Sequence, residues 1–265
     1  MIERQLFSHP LEETALGDVM KTVNFQSLLE DQYIHFEEKK RRPDLLGKTV
    51  RVSEKQFPKV YGLCRNIEQK TGLKVPDLFV YEDFFYSMES KGIDTPWIEV
   101  SASMVTDFTE KELEFMLARE VGRIHYQHTH YHTLMNESLE MYSKGLMPFT
   151  DGIVEDVARV QFYRWNRLAH YSADCFGYLI SRDLQAAAQA ILKCVLNSRY
   201  LAENINLAEY LKQAEAINEL QDSVYESAKS DELFPYGPFR IKYMMAYASS
   251  ERAIEAGKQL MEGIL

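Results

Sequence analysis

The chain has 265 residues, 46% of them hydrophobic and 26% charged, and carries a formal net charge of −10. This length allows a sizeable core, while an acidic surface repels phosphate backbones and excludes nucleic acid as the expected partner. Three cysteines, an N-terminus without an apolar signal core, and no run near the roughly 18 apolar residues of a membrane span together predict a reduced, cytoplasmic chain with no membrane insertion.

Residues 1–50 read as a helical N-terminal arm, with Pro10, Pro43 and Gly47 as its punctuation. The basic run Lys39-Lys40-Arg41-Arg42 sits between Glu37-Glu38 and Pro43-Asp44, the pattern of a solvated, charge-mixed face. Val50-Arg51-Val52 suggests a short strand. Phe57, Val60, Tyr61, Cys64 and Ile67 then fall at helical spacing over 54–71, and Gly72 follows as the expected C-cap. Asp77-Leu78-Phe79-Val80-Tyr81 and Trp97-Ile98-Glu99-Val100 are β-rich and predict two strands of one small sheet, joined by a hairpin-like connection over 82–96.

From residue 109 onward the pattern is almost entirely helical. Thr109 stands three residues before Glu112, so each side chain can satisfy a free amide at a helix start. Leu113, Leu117, Val121 and Ile124 continue the apolar face, predicting one helix over about 109–134. The expected fold class is α+β, mainly α, with a small early sheet; residues 51–265 form the main domain behind the 1–50 arm.

The chemistry concentrates at Arg119-Glu120-Val121-Gly122-Arg123. This segment resembles the zinc signature H-E-x-x-H with arginine at both histidine positions. In that signature two histidines at i and i+4 hold zinc from one helix face, and the glutamate activates the metal-bound water. Glu120 occupies the base position. An arginine has no lone pair to offer a metal and stays protonated. Two arginines carry the same two positive charges as zinc with two neutral histidines, so they read as a replacement for it. Arg123 lies three residues from Glu120, the spacing of an ion pair along a helix.

Further segments extend the resemblance to the HtpX-like zinc metallopeptidase family, which also includes the CAAX prenyl endopeptidases. His170-Tyr171-Ser172-Ala173-Asp174 is similar to that family's E-x-x-A-D, with His170 in place of the third ligand. Trp165 and Arg167 resemble its W-x-R lead-in, and Phe234-Pro235-Tyr236-Gly237-Pro238-Phe239-Arg240 resembles its H-P-P-x-x-x-R element. His9-Pro10-Leu11-Glu12 matches in character near the start. The resemblance implies a zincin-like fold with an active-site-type helix, and it assigns supporting roles to Asp174 and Arg240. All three metal positions depart from the family at Arg119, Arg123 and His170, so the family's zinc is expected to be lost.

Three functions follow from this pattern. The first is a catalytically inactive pseudopeptidase that acts through a protein or peptide partner. The second is a hydrolase with displaced chemistry. It would use a metal at His125, His128 and His132, which share a face at about 100° per residue of a continuous helix, or metal-free Glu120, His170 and Asp174. That histidine face would lie roughly opposite Arg119. His170 and Asp174 are i, i+4 and within hydrogen-bond spacing, a pairing read here as structural. The third function is a purely structural domain whose cleft binds nothing.

Overall fold

In a computed structural model the described residues are 2–22, 36, 38–143 and 152–262, with side chains described outside 138–156. The part of the predicted N-terminal arm over 23–35 lies outside them. In chain order the elements begin with helix α1 (Glu12–Thr22), α2 (Glu38–Lys48), strand β1 (Val50–Arg51) and α3 (Pro58–Thr71). Strands β2 (Leu78–Tyr81), β3 (Met88–Lys91) and β4 (Trp97–Ser101) follow. The helices are then α4 (Ala102–Asp107), α5 (Glu110–His125), α6 (His128–Ser143), α7 (Gly152–Ser181) and α8 (Leu184–Leu196). The chain continues through α9 (Arg199–Glu203), α10 (Leu207–Glu219), α11 (Ser223–Ser230), α12 (Gly237–Ala248) and α13 (Glu251–Glu262). The molecule is mainly helical with one small early sheet, the predicted class.

The sheet runs β1-β2-β4-β3. Strands β2 and β4 pair in parallel, in the register Leu78 to Ile98. The connection over 82–96 is therefore a crossover rather than a hairpin, and it contains β3, which pairs antiparallel to β4 at the sheet edge. The polar sequence Met88-Glu89-Ser90-Lys91 hid this strand: only Met88 and Ser90 turn inward, and Ser90 is there for a hydrogen bond rather than for packing. Pro43 and Gly47 do not punctuate the arm, since α2 runs through both to Lys48. The basic run lies on this helix, where Arg41 pairs with Glu137 and Arg42 with Asp77.

The start of α5 follows the predicted capping box. The Thr109 hydroxyl accepts from the Glu112 amide, and Glu112 accepts from the Thr109 amide at 2.6 Å. The same Glu112 oxygen takes Lys193 of α8 at 2.8 Å. Lys193 also donates to the Asp107 carbonyl at 3.0 Å, and both Glu112 and Lys193 are buried. A local cap signal thus doubles as the tertiary joint between α5 and α8.

Helix α5 and helix α7 approach closely along Gly122 and Gly177. A Cβ at Gly177 would stand 2.9 Å from the Phe115 carbonyl oxygen and 2.6 Å from Cγ of Arg119; one at Gly122 would stand 2.6 Å from the Phe176 ring. Phe115, Leu117, Ala118 and Val121 meet Phe176, Leu179 and Ile180 there, in a core that takes in Ala187 and Ile191 of α8. A second cluster joins Ala15 and Val19 of α1 to Phe162, Trp165 and Ala169 of α7.

The single helix expected over 109–134 is two helices. Gln127 has φ +67°, a left-handed backbone that ends the α5 hydrogen-bond ladder after His125. Neither glycine nor proline marks the break. It is held from outside, by the buried Tyr126 hydroxyl donating to the Ile2 carbonyl at 2.8 Å and by His128 bonding Glu12 at 2.7 Å.

Candidate functional site: a buried arginine cluster

Arg119, Glu120 and Arg123 occupy the buried face of α5, each 2–3% exposed. Helix α7 brings His170 and Asp174, and α12 brings Arg240. These six side chains form one polar cluster inside the helical layer. Arg119 donates from Nε to Asp174 Oδ1 at 2.6 Å, and its Nη2 stands 3.0 Å from His170 Nδ1. Arg240 grips the other side of Asp174 in a two-pronged contact, Nε to Oδ2 at 2.9 Å and Nη2 to Oδ1 at 2.8 Å. Burial alone raises the Asp174 pKa; Arg240 and Arg119 outweigh it, so the carboxyl lies below its ordinary range. His170 and Asp174 do not pair directly as their spacing suggested. Arg119 stands between them and bonds both.

Glu120 is tied to the sheet. Its Oε2 accepts the Ser90 amide at 2.9 Å and the Ser90 hydroxyl at 2.7 Å, and that hydroxyl continues to Thr129 at 2.6 Å. Arg119 and Arg123 each stand 3.5 Å from a Glu120 oxygen. The expected Glu120–Arg123 ion pair is therefore present but long, and the strand supplies the closer contacts. Sequence reasoning missed Ser90 because β3 itself was not recognised.

The element Phe234 to Arg240 is anchored by the tryptophan segment. Asn166 Nδ2 donates to the Leu233 carbonyl at 2.9 Å, and Arg167 Nη1 to the Ser230 carbonyl at 3.1 Å and to that of Glu232. Phe234 presents its ring edge to His170 at 5.1 Å, and Arg240 enters the cluster one helical turn later.

The histidines of the alternative metal site separate at the Gln127 break. His125, at the end of α5, bonds the Lys74 carbonyl at 2.8 Å. His128 bonds Glu12 on α1, which also takes Arg4 and Ser172. His132 lies against Phe162, ring centroids 5.8 Å apart. Among the described residues no group of three or more His, Cys, Asp and Glu is placed to hold a metal ion. His132 is buried, 5% exposed. Burial, with Arg123 as the acting charge, lowers the His132 pKa to about 3. His170 is pushed well below its ordinary value by burial, and then by Arg123, Arg119 and Arg240. Both imidazoles are neutral at pH 7.

A guanidinium has donors only. Arg119 and Arg123 on α5 thus present hydrogen-bond donors, and the His170 lone pair at Nδ1 faces Arg119. Three guanidiniums share two carboxylates, Glu120 and Asp174. Among the described residues no helix is long and apolar enough to cross a membrane.

Over 182 residues the sequence is 25% identical to plastoglobule-localized metallopeptidase 48 of the Arabidopsis thaliana chloroplast, an alignment taking in 67% of this chain and 52% of that protein. The chain is a distant homologue of a metallopeptidase. It spans about half the length of that relative. No family model matches the sequence, and no solved structure matches it either.

Proposed function

We propose that this chain is a non-proteolytic member of the HtpX-like metallopeptidase group, one that holds no catalytic zinc and acts by binding a protein partner. The observation that carries the reading is the pair Arg119 and Arg123, which this reading puts at the two ligand positions, both buried and in contact with Glu120 and Asp174. Zinc takes lone pairs from sulfur, nitrogen or oxygen in a tetrahedral shell. Arg119 and Arg123 have none to give, and the Nδ1 lone pair of His170 is committed to Arg119. The donor set does not fit the metal. A general base also needs a water within reach, whereas Glu120 spends Oε2 on Ser90.

With the pocket filled, partner binding falls to the surface. The turn between β2 and β3 carries Phe84 at 83% exposure and Phe85 at 67%, an unusual pair to leave in water. Asn197 clamps this turn, accepting from the Tyr86 amide at 2.7 Å and donating to the Phe84 carbonyl at 3.2 Å. Exposed aromatic side chains on a held backbone suit a protein contact, because little order is lost on binding. Cys64, Cys175 and Cys194 are free thiols, which suits the reducing cytoplasm this reading assigns.

The test is metal content. The full chain is purified without a metal-binding tag, incubated with excess zinc, desalted, and its zinc counted per chain. Zinc far below one per chain, with no chelator-sensitive proteolysis, is the expected result. Zinc near one per chain overturns the proposal.

A further inference from the structure

The Arg119–Arg123 cluster has more donors than acceptors. Arg119 can only donate, so its contact at 3.0 Å makes His170 Nδ1 the acceptor. The imidazole proton must then sit on Nε2. Among the described residues that buried Nε2–H meets no partner, and buried Arg123 Nη1 meets none either. Its side chain is 3% exposed, and its ion pair with Glu120 Oε2 is long, at 3.5 Å. His170 contacts Arg119, Arg119 contacts Glu120, and Glu120 contacts Arg123, so the two orphaned donors belong to one buried cluster.

The charge count points the same way. Three guanidiniums (Arg119, Arg123, Arg240) stand against two carboxylates (Glu120, Asp174), and His132 and His170 are neutral. Among the described residues one positive charge is left over in a buried site. A further carboxylate there, Glu89, is 44% exposed at its side chain and pairs with Lys91 at 3.5 Å. Burying a cation without a counter-charge and leaving two donors unmet are both costly. A water would accept both hydrogen bonds but leave the charge. A monoanion answers both at once.

We propose that the pocket has inverted its polarity, and that Arg123 Nη1 and His170 Nε2–H together bind one small free monoanion, chloride or a carboxylate of formate size. The size limit follows from burial: solvent does not reach either donor atom. Phe234, edge-on to His170 and 53% exposed, is the side chain that must swing for the ion to enter. The inference rests on the zinc-free reading of the same pocket.

The experiment is a thermal melting series on the full chain at fixed ionic strength, exchanging gluconate, too large for the site, for chloride or formate. A ligand that binds only the folded state raises Tm with the logarithm of its concentration. The expected result is such a rise for wild type with both small anions, lost in Arg123→Met. Equal slopes in wild type and variant, or no slope in wild type, overturn the proposal. Bromide soaked into wild-type crystals gives a reading that needs no variant. An anomalous peak within hydrogen-bond distance of both donors supports the site; a water or empty density there overturns it. Zinc is counted on the same preparation. A zinc-loaded chain defeats the zinc-free reading, whereas a zinc-free chain indifferent to chloride, formate and bromide defeats only this inference.

Discussion

Ser90 gives both of its donors, the amide and the hydroxyl, to a single oxygen of Glu120, at 2.9 and 2.7 Å. An edge strand and a buried helix are thereby joined at Glu120. This contact, with the arginines beside it, sets the expected behaviour of the cluster.

Replacing Glu120 with alanine leaves the Ser90 amide and two guanidiniums with less to bond. Removing one partner of a buried ionic pair costs about 3–5 kcal/mol. Chemical denaturation of Glu120→Ala should show a loss of that order. An unchanged midpoint would mean that Glu120 contributes nothing to the cluster's balance.

The Arg119–Asp174 contact predicts strong coupling. Arg119→Met and Asp174→Asn should each destabilise by about 3–5 kcal/mol, because each strands a buried charge or donor. The double variant should lose clearly less than the two losses combined. Simple additivity in the double-mutant cycle would show that the 2.6 Å contact carries no coupling.

Gly177→Ala tests the helix approach that positions Arg119. The added methyl meets the Phe115 carbonyl oxygen at 2.9 Å, and backbone cannot turn aside as a side chain can. Overpacking of this kind costs about 1–3 kcal/mol. A helix interior otherwise favours alanine over glycine by about 1 kcal/mol, so a variant more stable than wild type would refute the close approach.

Acid should weaken the fold in two stages. In the unfolded chain histidines titrate near pH 6.5. His132, lowered to about 3, and His170, pushed well below its ordinary value by burial and then by Arg123, bind fewer protons than the unfolded chain below that pH. The unfolded state therefore binds more protons, and stability falls as pH drops below about 6.5, by about 1.4 kcal/mol per pH unit for each histidine. Asp174 adds a loss at lower pH. Its folded pKa is depressed, so its contribution is full above the ordinary carboxylate value and disappears as pH falls through the lower one. Denaturation midpoints at pH 7.5, 6 and 5 check the first stage; His132→Asn should flatten part of it. A wild-type midpoint flat across the three would contradict the buried, neutral imidazoles.

Much of the scaffold was readable in order of appearance. The Thr109–Glu112 box starts α5, Gly72 caps α3 at φ +68°, and the strands at Leu78 and Trp97 lie where their β-rich runs predicted. These signals are local, made within a few residues of chain, and local sequence states them. The motif residues were legible as well, because Arg119, Glu120 and Arg123 are fixed on one helix by spacing alone.

What the sequence by itself determined was residue chemistry: arginines at 119 and 123 flanking Glu120 on one helix, and a histidine four residues before Asp174. What only the tertiary structure decided was which partner each of them finds. Strand β3 is polar and carries its identity in one bond from Ser90. The turn at Gln127 is imposed by contacts from Ile2 and Glu12, more than a hundred residues away along the chain. That turn sets His125 apart from His128 and His132. Hydrogen-bond partners and burial are set by packing between distant segments. Spacing along one helix can therefore say which groups are available, but not which of them are left without a partner.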